Sequence, residues 1–223
     1  NGFITFGAAP SGTNYTPLSS LGSTTGAISA FGQDGGFLST DSPQPPGNHE
    51  VRYEDLGTEF VVQWQDHANY FNRSTEKLNF QIRLNESDNS IEFVYGDCSF
   101  ANAAGGPFTG PQVGLRGVTS ADYNNRLVNA GSGNDWNTSA NGVVNSSLLL
   151  IGATITPPTS GRTYTWTPPP PSSIDISLNA LINPGLGCGS ATQTVTVQLK
   201  NEGVGTHNFA THPTTVTVNI TGA

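Results

Sequence analysis

The sequence predicts an all-β protein, an antiparallel β-sandwich of jelly-roll type followed across a proline-rich spacer by part of a second, smaller sandwich. Three observations predict it. Apolar side chains recur at every second position in several stretches, no stretch carries a helical period, and Gly, Pro, Asn and Ser punctuate the stretches at short intervals. Gly and Pro supply 27 and 15 of the 223 residues, so turns must be frequent. Apolar residues make up 35%, with eleven Phe and three Trp, which is enough to fill a core and argues against a disordered chain.

Asn1-Gly2 favours a tight hairpin turn because both residues tolerate positive φ, and the strand-like Phe3-Ile4-Thr5-Phe6 follows at once. The expectation is a strand whose hairpin partner lies upstream of Asn1. A second strand is expected over Gly26 to Phe31. In Glu59 to Gln65, Phe60, Val62 and Trp64 share one face, as a half-buried strand requires. The clearest hairpin comes next. Phe80, Ile82 and Leu84 alternate with Gln81 and Arg83, Asn85 to Ser90 turns the chain, and Ile91, Phe93 and Tyr95 alternate with Glu92 and Val94. Setting Leu84 opposite Ile91 puts Ile82 opposite Phe93 and Phe80 opposite Tyr95 on the core side, and Arg83 opposite Glu92 on the other face. An Arg83–Glu92 ion pair is expected there. Further strands are expected over Val113 to Val118, Ser147 to Thr156 and Arg162 to Trp166.

Four consecutive prolines, Pro168 to Pro171, favour an extended polyproline segment and mark a stiff spacer. They divide the chain into a first domain at 1–167, a linker at 168–173 and a second domain at 174–223. In the second domain Ile174 to Leu178, Thr194 to Lys200 and Thr214 to Thr221 read as short alternating strands, roughly half of an Ig-like sandwich. The chain contains no Met, so material upstream of residue 1 is expected. The missing strands belong either to a longer polypeptide or to neighbouring subunits that add strands at the sheet edges.

A net charge of −8 with eight scattered basic side chains excludes a phosphate-neutralising surface, so nucleic acid is not an expected partner. The longest fully apolar run, Leu148 to Ile151, is four residues, and no membrane insertion is expected.

Catalytic signatures are scarce. No Gly-x-Ser-x-Gly elbow and no His-Glu-x-x-His pair occurs, and polar loop positions explain His49, His67, His207 and His212. Glu59, Glu86 and Glu92 are the carboxylates on or beside strands that a glycosidase would need in pairs, but Glu86 lies in a turn and Glu92 faces Arg83. Asp34, Asp41, Glu54, Asp55 and Asp66 are spread through the first loops, where oxygen-rich segments can converge on Ca²⁺, although surface solubility explains them equally. No other cofactor is expected. Cys98 and Cys188 stand ninety residues apart in different domains. A disulfide between them would clamp the domains together in an oxidising compartment, and two separate thiols are the alternative. Zinc is disfavoured, since neither belongs to a Cys-x-x-Cys pair. Tyr123 and Trp136 lie in Asn- and Asp-rich loops. An exposed ring beside amide groups can stack on a sugar face, which makes them the ligand-binding candidates, with Tyr70 as a third; packing onto their own domain is the plainer reading.

Two local patterns carry a resemblance. Asn1 to Gly7, Phe60 to Trp64, and Asn79 to Leu84 through Ile91 to Gly96 resemble the β-sandwich module of large secreted surface proteins of Bacteroidota bacteria. Ile174 to Gly185, with Val195 to Gly203, is similar to the Ig-like repeats that follow such modules. The resemblance implies export by the type IX secretion route and a place in a long extracellular adhesin or fibre at the cell surface. The expected function is therefore a non-enzymatic structural or adhesive section, with partners at its strand edges. A carbohydrate-binding module of a secreted hydrolase, with glycans as ligands, is the alternative.

Overall fold

The computed structural model of the chain describes residues 1–6, 15–20, 25–36, 50–70, 76–100, 110–128, 133–152, 154–183 and 192–219. The chain divides into two compact units, Asn1–Pro168 and Pro169–Ala223. In chain order the described strands are β1 (Gly2–Thr5), β2 (Ala27–Gly32), β3 (Gly35–Gly36), β4 (Glu50–Asp55), β5 (Glu59–Asn69), β6 (Leu78–Asn85), β7 (Ile91–Tyr95), β8 (Gln112–Arg116), β9 (Tyr123–Leu127), β10 (Ala140–Asn141), β11 (Thr163–Trp166), β12 (Ile176–Asn183) and β13 (Thr196–Asn201). The fold class is all-β, as expected. No helix among the described residues is long and apolar enough to cross a membrane.

The first unit is a sandwich of two antiparallel sheets. One runs β1-β2-β8-β9-β10, and the other runs β11-β7-β6-β5-β3 with β4 alongside β5. The register of the central hairpin is the one that alternation predicts: Phe80 faces Tyr95, Ile82 faces Phe93 and Leu84 faces Ile91. Their side chains enter the core with Phe31, Val113 and Trp64. Aromatic rings bridge the sheets. Trp64 stacks on Phe80 at 5.0 Å, Phe80 on Phe31 at 5.9 Å and Phe31 on Trp136 at 6.1 Å, each pair worth about 0.5–1.5 kcal/mol beyond its buried area. The Tyr95 hydroxyl donates to the Ala30 carbonyl at 2.8 Å and so ties β7 to β2 across the core.

The outer face of the second sheet departs from expectation. Arg83 and Glu92 are cross-strand partners in the backbone register, yet they form no ion pair. Arg83 instead reaches Glu59 on β5 at 3.6 Å and donates through Nε and Nη2 to Gln81 Oε1, while Thr165 on β11 donates to Glu92 Oε1. The diagonal neighbour and the adjacent Gln81 hold the guanidinium on the β5 side, because Gln81 is itself anchored by donating to Gln63 at 2.8 Å.

Strand β5 runs past Gln65, and a bulge is the reason. Between Trp64 and His67 it carries one residue more than β6 does between Phe80 and Leu78, and Asp66 takes φ 50°. The Asn79 side chain clamps the bulge by accepting from the Asp66 amide at 2.9 Å. The extra residue reverses the alternation, so His67 rather than Asp66 enters the core face beside Phe80 and Phe31.

The described residues of the expected strand Ser147 to Thr156 are not in a strand. Two isolated parallel bridges, Val128 with Leu149 and Asp135 with Thr156, tie the segment in, and its apolar run fills the core with Leu149 fully buried. Gly114 on β8 has φ +144°, and a Cβ there would lie 2.4 Å from the Asn124 carbonyl, so β8 and β9 approach closely only because this position lacks a side chain.

In the second unit β12 and β13 form an antiparallel hairpin with two register irregularities. Leu178, Leu181 and Ile182 are more than half exposed on it. Residues 214–219 of the third expected stretch are not in a strand, and 220 and 221 lie outside the described residues. Thr/Val alternation supplies β propensity, but a ladder needs a partner, and these residues have none to pair with among the described strands.

Candidate functional site

The two aromatic candidates part company. Trp136 is fully buried in a short 3₁₀ turn, Trp136–Thr138. Its ring meets Tyr95 edge-on at 5.5 Å, its Nε1 donates to the Leu150 carbonyl at 2.8 Å, and its own carbonyl accepts from the Tyr164 hydroxyl. The expectation that Trp136 contacts a ligand is corrected: the surrounding Asn and Asp residues are turn chemistry, not a sugar-binding surround. Asp135 caps the turn by accepting from the Asn137 amide at 2.8 Å, and that cap aims the indole inward.

Tyr123 stays at the surface. It is half-buried at the start of β9, and its hydroxyl donates to the Val143 carbonyl at 3.0 Å. It lines a mainly apolar groove of about 520 Å³ together with Phe6, Ile28, Ile91 and Leu115. Phe6 is 59% exposed there. Tyr70, at the end of β5, is 46% exposed and does not line this groove.

The remaining candidates are dispersed. Asp34 follows β2, Glu54 and Asp55 sit on β4, Asp66 occupies the β5 bulge, and Asp41 lies outside the described residues. No group of three or more His, Cys, Asp and Glu among the described residues could hold a metal ion. Glu59 is held by Arg83, Glu92 accepts from Thr165, and Glu86 is exposed in the β6–β7 turn, so the structure does not set two of them across a common cleft. His207 and His212 stand 6.3 Å apart between ring centroids in the second unit, and His49 lies outside the described residues. His67 is corrected from a loop residue to a core residue, for the reason the bulge supplies.

Cys188 lies outside the described residues, and with it the pairing considered with Cys98. Cys98 donates its thiol to the Asn79 carbonyl at 3.4 Å, and burial pushes the thiol up to about 11. The thiolate is the reactive form, so the shift removes roughly a hundredfold of it at pH 8. In a Cys188→Ser variant, Cys98 is expected to react with a disulfide reagent about a hundredfold more slowly when folded than in urea, read by absorbance stopped-flow; equal rates would refute the buried thiol.

One corner concentrates buried polarity. Glu76 is 4% exposed, and its Oε2 accepts from the Asn69 amide at 3.0 Å while Oε1 has no hydrogen-bond partner among the described residues. Desolvation pushes this carboxyl up to about 7, against the lowering effect of the Asn69 hydrogen bond. The side-chain amide of Gln33 is also buried without a hydrogen-bond partner among the described residues. Gly35 admits the imidazole of His67 against the backbone, since a Cβ at Gly35 would stand 2.1 Å from Nε2.

Sequence reasoning missed a second cluster. Arg126 on β9 and Arg162 just before β11 both lie against the Tyr164 ring, at 5.0 and 5.3 Å from its centroid. Arg126 donates to Ser139 Oγ and to Asn141 Oδ1, and Arg162 Nε is buried without a hydrogen-bond partner among the described residues. They line a pocket of about 380 Å³ with Asn124, Thr163, Thr165 and Trp166. The arginines are 36 positions apart and β9 reads Tyr-Asn-Asn-Arg-Leu, with no apolar alternation to announce it. Only the pairing of β9 with β8 and of β11 with β7 brings the two guanidiniums to one flank of the sandwich.

A family model described as NIDO related matches residues 1–168. No curated protein and no solved structure matches the chain.

Proposed function

Because the chain belongs to the NIDO-related family over residues 1–168, we propose that it is a non-catalytic structural or adhesive section of an extracellular protein, held to neighbouring domains or subunits through strand edges. The family is of an extracellular type, and this observation carries the reading. The finer reading, a section of a cell-surface adhesin or fibre exported by a Bacteroidota type IX route, rests on the resemblance of the β5–β7 strands and of the Ig-like stretch from Ile174.

The second unit supports the strand-edge part. An isolated two-stranded hairpin is marginal in water, and β12–β13 leaves Leu178, Leu181 and Ile182 between 55% and 63% exposed. A strand from a neighbouring domain or a second copy of this chain would cover those side chains and pair the open edge. At high concentration the chain is expected to associate end to end, read as rising mass in light scattering and as threads in electron micrographs, with Leu181→Asp staying monomeric. A wild-type chain that stays monomeric under the same conditions overturns the strand-edge reading, and turnover of a polysaccharide panel overturns the non-catalytic one.

A further inference from the structure

We propose that the pocket between β9, β10 and β11 binds the anionic group of an acidic saccharide, with Arg162 and Arg126 as its cationic contacts and the side chains of Asn124, Asn141 and Thr165 as hydroxyl partners. The site names a ligand class for the extracellular, non-catalytic reading and rests on it.

The argument begins with charge. The chain carries sixteen acidic side chains and eight basic ones, and of its described arginines Arg116 donates to the Pro17 and Ser20 carbonyls. Arg52 pairs with Glu50 and Arg83 with Glu59. Arg126 and Arg162 have no carboxylate within ion-pair distance among the described residues, although each lies against the same ring. Two like charges held together without a counterion are unfavourable, and burial, joined by the nearby Arg162, lowers the Arg126 guanidinium from its ordinary value. A bound anion removes that penalty.

The lining selects the ligand. All nine residues around the pocket carry a side-chain nitrogen or oxygen, so an aliphatic peptide side chain finds no apolar recess in it. Its volume, about 380 Å³, falls within the roughly 300–1,000 Å³ of small-ligand sites. Arg126 is already oriented by Ser139 and Asn141, which leaves its remaining donors aimed by the fold. Arg162 Nε is buried with no acceptor among the described residues. A planar guanidinium suits both carboxylate and sulfate, and hydroxyl-rich rings suit the amides and threonines beside it. The Trp166 indole, which donates to Asn124 Oδ1 at 3.0 Å, gives the site a built-in reporter.

The test uses the whole chain and three oligosaccharides: an oligogalacturonate for carboxylate, a dextran-sulfate oligomer for sulfate, and an uncharged dextran oligomer. Calorimetry is expected to show saturable binding of at least one charged oligomer, weakened by salt, and no binding of the uncharged one. Arg162→Gln is expected to lose about tenfold or more in affinity, the scale of a lost charge-assisted contact. In the wild type, the indole N–H resonance of Trp166 is expected to shift with the same affinity while that of buried Trp136 stays in place, a readout that needs no variant to fold. Carboxylate and sulfate arms identify which group the pocket takes. Failure of both charged oligomers to bind, equal binding of the uncharged one, undiminished binding by a folded Arg162→Gln, or an unmoved Trp166 resonance overturns the site and leaves the structural reading standing. Binding followed by cleavage keeps the site and overturns the non-catalytic reading instead.

Discussion

Trp136→Ala is expected to lower the stability of the first unit by about 3–5 kcal/mol, the range for truncating a fully buried large aromatic. The indole is wedged between Phe31, Tyr95 and Phe100, at 6.1, 5.5 and 5.3 Å between ring centroids, and it anchors the Leu150 carbonyl through Nε1. Alanine removes the rings' shared contacts, opens a cavity between the sheets and leaves that carbonyl without its donor. Urea unfolding followed by tryptophan fluorescence gives the change directly, since Trp64 and Trp166 remain as probes. The surface candidate behaves differently: Tyr123→Ala removes one hydrogen bond to Val143 and part of an open groove, and about 1 kcal/mol is its expected cost. A loss below about 1 kcal/mol for Trp136→Ala would show that the indole is not the packed core element described.

Glu76→Gln is expected to do the reverse at alkaline pH. The unfolded carboxyl releases its proton near the ordinary value of 4.5, whereas burial holds the native one protonated up to about 7. Between those values the native state binds more protons than the unfolded state, so stability falls as pH rises through the window and the loss is complete above about 7. Two and a half pH units correspond to about 3 kcal/mol. A glutamine accepts from the Asn69 amide as the carboxyl does but never ionises. The variant is therefore expected to match the wild type at pH 4 and to exceed it by up to about 3 kcal/mol at pH 8. Denaturation of both proteins at several pH values gives the difference, which cancels every other titrating group. A difference that does not change with pH would mean that the Glu76 carboxyl is solvated.

Alternation reads the fold correctly where both arms of a hairpin carry it without interruption, and fails where the outcome depends on a bulge or a partner strand. The β6–β7 register was legible because both arms alternate without interruption, and one pairing then determines the rest. β5 was legible only as far as Gln65. Beyond it, strict alternation points Asp66 inward, and nothing local announces the extra residue that brings His67 there instead. β9 was illegible because the position facing inward is Asn125, a polar residue whose Nδ2 donates to the Val144, Asn145 and Ser147 carbonyls where alternation would call for an apolar side chain. Leu148 to Ile151 misled in the opposite sense: an apolar run signals burial, and burial here belongs to irregular chain that fills space beside Trp136. The Trp136 surround misled for a related reason. Asn and Asp next to an aromatic suit a sugar site and a capped turn alike, and only the direction of the indole separates the two. The arginine pocket had no local signal at all, since it exists by virtue of two sheet pairings.

Among the described strands, β1 and β11 sit at the rims of opposite sheets, and each is fastened by one ladder of four residues, to β2 and to β7. Tension transmitted along the polypeptide reaches those short seams before it reaches the ring-filled interior. Pro168 stands two residues beyond β11 and lacks the amide that would extend its seam. Under load the unit is expected to lengthen first by peeling a strand from a rim, while the tyrosine tether between the layers holds the body shut.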